Sequence, residues 1–178
     1  GPGAIANTNK YEITLRLFRE CNPPPGGQPT APLPTDVRLG IFNNVAPFTA
    51  YQNNITVVRS STQRINLGSP DPCITNPPEV CYDIGIFVLT IDLPITSAGY
   101  IIAFQTCCRT NSIENLAEDA QGATYTGQIA GTALVPEGDS TSPQFAVKDT
   151  TLVCRNSPMT LDFSATDDDG DSLVYSFC

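Results

Sequence analysis

Histidine and tryptophan are absent from this 178-residue chain, and lysine occurs only at Lys10 and Lys148. Without histidine there is no Ser-His-Asp or Cys-His nucleophile, no histidine-ligated zinc or haem, and no histidine pH switch. Nine Lys and Arg against 18 Asp and Glu leave a formal net charge of −9, which excludes the basic footprint of a nucleic-acid binder. No apolar run approaches the roughly 20 residues of a membrane-spanning helix, so no membrane insertion is expected. No signal peptide is recognisable, so an exported form would have lost its signal, and Gly1-Pro2 reads as a scar of tag removal. What remains is a chain with 15% charged and 40% hydrophobic residues, the composition of a packed domain and not of a disordered acidic tail.

The seven cysteines are Cys21, Cys73, Cys81, Cys107, Cys108, Cys154 and Cys178. None forms a C-x-x-C pair, so a zinc ribbon or a thioredoxin-like redox motif is unsupported, and disulfides in an oxidising, extracellular compartment are the expectation. Cys73 and Cys81 bracket a loop rich in proline (Pro70, Pro72, Pro77, Pro78) and are expected to close it. Cys154 and Cys178 lie on two candidate strands and are candidates for a second bridge. Cys21 ends one strand and Cys107-Cys108 end another, so Cys21 is expected to meet one of that vicinal pair; neighbours on a strand face opposite ways, so only one can point at it. An odd count leaves one thiol over, either buried or paired with another chain segment.

Residues 11–19 alternate strictly, with Tyr11, Ile13, Leu15 and Leu17 on one face, which predicts a half-buried strand. Six prolines between residues 22 and 35 then impose a long loop. Further strands are predicted over 36–43, 54–59, 62–67, 84–92 and 100–107, the last with Tyr100, Ile102, Phe104 and Thr106 on one side, and over 123–135. One helical turn is predicted over 111–119. Many short strands separated by Pro, Gly and Asn turns predict an all-β antiparallel sandwich of immunoglobulin-like type, stapled by disulfides. A polar linker near 136–143 sets the domain division: a sandwich over 4–139, and over 140–178 either the start of a second β module or closing strands of the first. In that last part strands are predicted over 144–147, 151–154, 158–165 and 173–178.

The densest polar cluster is Thr166–Ser172. Asp167, Asp169 and Asp171 alternate and present three carboxylates on one side of a loop, a hard-oxygen set suited to Ca²⁺. The EF-hand pattern fails, since Ser172 follows Asp171 and no Glu comes after it. Asp-Gly is equally a strong turn dipeptide, so two readings stand: a calcium site, or a solvated turn. The six glutamates are scattered along the chain, and no carboxylate pair with aromatic lining suggests a glycosidase. Ser60-Ser61 and Ser140–Ser142 lack a base, and the chain is read as no enzyme. Asn54-Ile55-Thr56 fits the N-glycosylation pattern, one that chance supplies often. The arginines are spread out, as surface ion-pair and solvation residues are.

Three segments carry a family likeness. Tyr11–Cys21 resembles the opening strand of large secreted surface proteins of Bacteroidota. Gly99–Asn115, with its vicinal Cys107-Cys108-Arg109, is similar to a cysteine-pair block in the same proteins, although a tryptophan expected near Tyr100 or Ile101 is missing. Ser142–Phe145 with Ala165–Tyr175 resembles the segment that leads into their PKD- or cadherin-like modules. The resemblance implies a non-catalytic adhesion or structural module on the bacterial outer surface, exported by a type IX route in a gliding-motility-associated chain. Its implied partners are neighbouring domains, identical subunits, or a surface glycan or protein receptor. Two other readings stand beside it: a filament subunit whose strands 144–178 pair with a neighbour's sheet edge, and a carbohydrate-binding module, for which only tyrosines and phenylalanines would serve.

Overall fold

A computed structural model describes residues 7–21, 32–66, 81–107, 121–135, 140–146 and 158–176. Every regular element among them is a strand: β1 (Thr8–Glu20), β2 (Asp36–Asn43), β3 (Ala50–Asn66), β4 (Cys81–Pro94), β5 (Tyr100–Thr106), β6 (Ala123–Ile129), β7 (Gln144–Phe145) and β8 (Ala165–Thr166). The first six form one sheet in the order β1-β4-β3-β2-β5-β6, antiparallel throughout, and β7 pairs with β8 in a separate two-stranded sheet. The fold is all-β, antiparallel and disulfide-bonded.

Strand β1 shows how the alternation reads out. Exposed and half-buried residues strictly alternate from Thr8 to Glu20, and Tyr11, Ile13, Leu15 and Leu17 all pack against the core. That core is built from Val37, Leu39 and Ile41 of β2, Val57 of β3, Phe87 and Leu93 of β4, and Tyr100, Ile102 and Phe104 of β5. β1 has no ladder with β2 or β5, yet its apolar face meets theirs in this one cluster. The six-stranded sheet therefore curls until its two ends face each other. Burying each such Leu, Ile or Phe side chain contributes about 1.5–3 kcal/mol, which is what drives the curl.

The pivot of the curl is β3. Its first half pairs with β2, from Ala50↔Phe42 to Val58↔Asp36, and its second half pairs with β4, from Arg59↔Phe87 to Asn66↔Cys81. The register slips between Arg59 and Ser61, a bulge that bends the strand where it changes partner. Arg59 reinforces that bend, donating from its guanidinium to the carbonyls of Leu33 and Pro34, each at 3.0 Å. The sequence predicts two strands here, 54–59 and 62–67. They are one strand, because Ser60 is an extra residue inside a ladder and not a turn.

Three loops knit the other end together. Asn44 donates its backbone N–H to the Gly99 carbonyl (3.1 Å) and its side-chain amide to the Ala98 carbonyl (3.2 Å). Thr132 and Ala133 donate to the carbonyls of Thr96 and Ser97, at 3.0 and 3.1 Å. These bonds require close contact between two backbones, and glycine supplies it on both sides. A Cβ on Gly131 would lie 2.3 Å from Gly99 N and from the Ser97 oxygen, and one on Gly99 would lie 2.0 Å from the Ile129 oxygen. Gly99 also has φ +76°, a conformation that costs glycine nothing.

Several sequence expectations end differently. The 123–135 strand stops at Ile129, because Gly131 accepts N–H bonds from Leu134 and Val135 and turns the chain. Thr106 is exposed and not inward, since the β2 ladder beneath β5 begins only at Phe104. In the last part, the strand covers Gln144–Phe145 of the described residues 144–146, 158–165 shortens to the single residue Ala165 at its end, and 173–176 forms no strand, apolar alternation there having no ladder to join. The 111–119 helical turn and the 151–154 strand lie outside the described residues.

Candidate functional site

The aspartate loop follows directly from β8. Asp167 accepts two backbone N–H groups on its Oδ1, from Asp169 at 3.0 Å and from Asp171 at 3.4 Å, and its carbonyl accepts the N–H of Gly170 at 3.2 Å. Gly170 takes the left-handed conformation (φ +77°) that closes this turn. The turn gathers the three alternating carboxylates: oxygens of Asp167, Asp169 and Asp171 all lie within 4.8 Å of one another. Asp167 is half-buried and the other two are exposed.

A second tie fixes the loop from outside. Asp169 Oδ2 accepts both the backbone N–H and the hydroxyl of Thr141, the latter at 2.8 Å. These bonds hold the Asp169 carboxyl below its ordinary range, the backbone N–H first and the hydroxyl second. Thr141 precedes β7 and Asp169 follows β8, so this contact crosses the ends of the small sheet. Near it Asp162 accepts the Ser164 N–H at 2.8 Å, which lowers that carboxyl too, and the Tyr175 hydroxyl accepts the Ala165 N–H at 3.0 Å. The three predicted metal-ligating residues are thus brought together. Thr141, 28 residues from Asp169, carries no local signal that would have joined it to them. Three carboxylates supply part of the six to eight oxygens that Ca²⁺ takes, and one Asp169 oxygen is already committed to Thr141.

The cysteines are arranged differently from the expectation. Cys21 is bonded to Cys81, with 5.6 Å between the Cα atoms. The reason is the register of β1 on β4: Glu20 stands opposite Tyr82, so the next pair is Cys21 opposite Cys81, and Cys21 N–H donates to the Cys81 carbonyl at 3.2 Å. This excludes both the Cys73–Cys81 closure and a bond from Cys21 to Cys107 or Cys108. Cys107 is disulfide-bonded as well. Cys73, Cys108, Cys154 and Cys178 lie outside the described residues.

Other polar side chains lie along the six-stranded sheet. Arg64 and Asp83 form a two-pronged ion pair across β3 and β4 at 2.8 and 2.9 Å, and the guanidinium holds the Asp83 carboxyl below its ordinary range. Arg16 lies over the Phe18 ring at 5.4 Å. Tyr100 is buried, with its hydroxyl donating to the Pro94 carbonyl at 2.8 Å and the Tyr51 ring edge-on at 5.4 Å; burial pushes its phenol pKa up. Asn9, Tyr11, Pro94, Gly99 and Tyr100 line a recess scarcely larger than a water molecule. Among the described residues no charged side chain is buried, and no helix is long and apolar enough to cross a membrane.

The chain matches no protein-family model, no curated protein and no solved structure. The class it belongs to is that of antiparallel all-β, disulfide-bonded proteins, and such crosslinks are characteristic of chains that fold outside the reducing cytosol.

Proposed function

We propose that this chain is a non-catalytic extracellular module of a bacterial cell-surface protein, with a structural or adhesive role. One observation carries the reading: the Cys21–Cys81 crosslink ties an edge strand to its neighbour just past their last pair, Glu20 and Tyr82, a device that resists proteolysis and shear at the place where a sheet begins to fray. The likeness of Tyr11–Cys21, Gly99–Asn115 and Ala165–Tyr175 to Bacteroidota surface proteins supports it.

On this reading the curled sheet is an immunoglobulin-like sandwich occupying 4–139, and β7, β8 and the aspartate loop open a second module over 140–178. Its Asp167, Asp169 and Asp171 would take Ca²⁺ as a structural ion, at the millimolar affinities of extracellular modules. Neighbouring domains of one long chain are the proposed partners. The test is surface labelling. Antibody raised against the folded chain should bind intact cells of the source organism, and external protease should remove the signal. A signal that arises only after lysis would refute the proposal.

A further inference from the structure

The two edges of the six-stranded sheet are unlike. β1, at one end of the strand order, carries Lys10, Glu12, Arg16, Arg19 and Glu20, the charges that keep an edge from pairing with other chains. β6, at the other end, reads Ala-Thr-Tyr-Thr-Gly-Gln-Ile: no charge, no proline, and no register slip against β5. Residues Thr124 to Gln128 are all exposed, with Tyr125 at 53%. Among the described residues β6 pairs with β5 alone, and an uncharged, regular edge of this kind in a chain of net charge −9 offers backbone N–H and C=O groups to a further strand.

The side chains say which strand. Placed antiparallel to a second copy of itself about Thr126, β6 sets Thr126 opposite Thr126, Thr124 opposite Gln128, and Tyr125 opposite Gly127. Directly opposed threonines and hydroxyl–amide pairs are favourable cross-strand neighbours. A Cβ on Gly127 would meet nothing within 4 Å, so open space lies beside that residue on the face that Tyr125 shares. Tyr125, already stacked on Phe104 at 6.3 Å, would cover its partner's glycine, the pairing by which aromatics compensate edge glycines. The arrangement repeats by the two-fold axis, so each copy gives one tyrosine and receives one.

We propose that β6 is a self-association edge, and that two copies pair β6 to β6 about Thr126 into one continuous sheet. This does not rest on the cell-surface reading. The contact is a single seven-residue strand per copy, so the dimer is weak and concentration-dependent.

Sedimentation velocity from about 10 µM to about 1 mM, the range in which small interfaces associate, tests it. The expected result is a mass rising toward twice the 19.0 kDa of the chain. Thr126→Lys sets two like charges face to face on the axis and should hold the chain monomeric over the whole range, as should Thr126→Glu. An equimolar mixture of the two variants should restore the dimer. A parent chain that stays monomeric at the highest concentration overturns the proposal, as does a dimer that survives Thr126→Lys.

Discussion

Replacing Gly131 by alanine adds one methyl group where two backbone segments are in close contact. That Cβ would stand 2.3 Å from Gly99 N and from the Ser97 oxygen and 2.5 Å from Ala98 C, where ordinary contact begins at 3.4 Å. All three obstacles are backbone, so no side chain can swing aside, and the two segments must part by about 1 Å. Parting them breaks the bonds from Thr132 N–H to the Thr96 carbonyl and from Ala133 N–H to the Ser97 carbonyl. Two lost hydrogen bonds at about 1 kcal/mol each, with about 1–3 kcal/mol of overpacking, give a destabilisation of about 3–5 kcal/mol. For a chain of this length that is a fall of roughly 10 °C in thermal midpoint. Guanidinium unfolding followed by circular dichroism at low micromolar concentration measures it. Gly127→Ala is the control: its methyl meets nothing, and removing a strand glycine should leave stability unchanged or raise it by up to about 1 kcal/mol. A Gly131→Ala variant within 1 kcal/mol of the parent would refute the close-packing account.

The Cys21–Cys81 bond closes a separation of 60 residues, so the double serine variant should lose about 4 kcal/mol in the chain-entropy relation, read from denaturant midpoints under oxidising conditions; a loss under 1 kcal/mol would contradict it. Phe87 is 1% exposed, and Phe87→Ala should cost about 3–5 kcal/mol in the same assay, a much smaller loss arguing against one shared core. Asp83, Asp162 and Asp169 all have carboxyls held low in the folded state. Their contribution is complete above the unfolded value of about 3.9 and disappears as pH falls through the folded values. Stability should therefore start to drop once the pH falls below about 4, and Asp169→Asn should show a shallower acid limb; an identical limb removes the Thr141 tie from the account. Calcium at about 10 mM should raise the unfolding free energy of the unit that carries the aspartate loop by roughly 1.4 kcal/mol for a dissociation constant near 1 mM, with the rise abolished in Asp167→Asn. No rise would leave the loop a plain turn.

What could be read along the chain was whatever depends on near neighbours. The inward face of β1, the bounds of β2 and the inward triplet of Tyr100, Ile102 and Phe104 follow from alternation alone, because a strand with one wet face must alternate. The three aspartates come together for a similarly local reason, a turn closed by Gly170. Pairing partners are another matter. Ser60 looks like part of a turn in the sequence and is a bulge only because β3 passes from β2 to β4 at that point. Cys73 lies only eight positions before Cys81, yet Cys81 bonds with Cys21, since the β1–β4 register decides which sulfurs meet. Gly99 and Gly131 are ordinary residues until two loops more than 30 positions apart are laid against each other. Over 158–164 and 173–176 the same rule works in reverse: local apolar alternation without a ladder is not a strand.

The crosslink between Cys21 and Cys81 also has a mechanical meaning. β1 runs antiparallel to β4 with Thr8 opposite Pro94 at one end and Glu20 opposite Tyr82 at the other, and the sulfur bond lies just past the second end. Tension entering through Thr8 peels the strand one pair at a time, the weak direction for a ladder. The 13 residues of β1 can release only about 45 Å of chain at roughly 3.4 Å each. There the load passes from hydrogen bonds to a covalent bond with Cys81 at the start of β4, a strand paired on both sides. The edge strand is therefore a leash of fixed length: it yields under a pull, absorbs the displacement, and cannot be drawn out of the molecule.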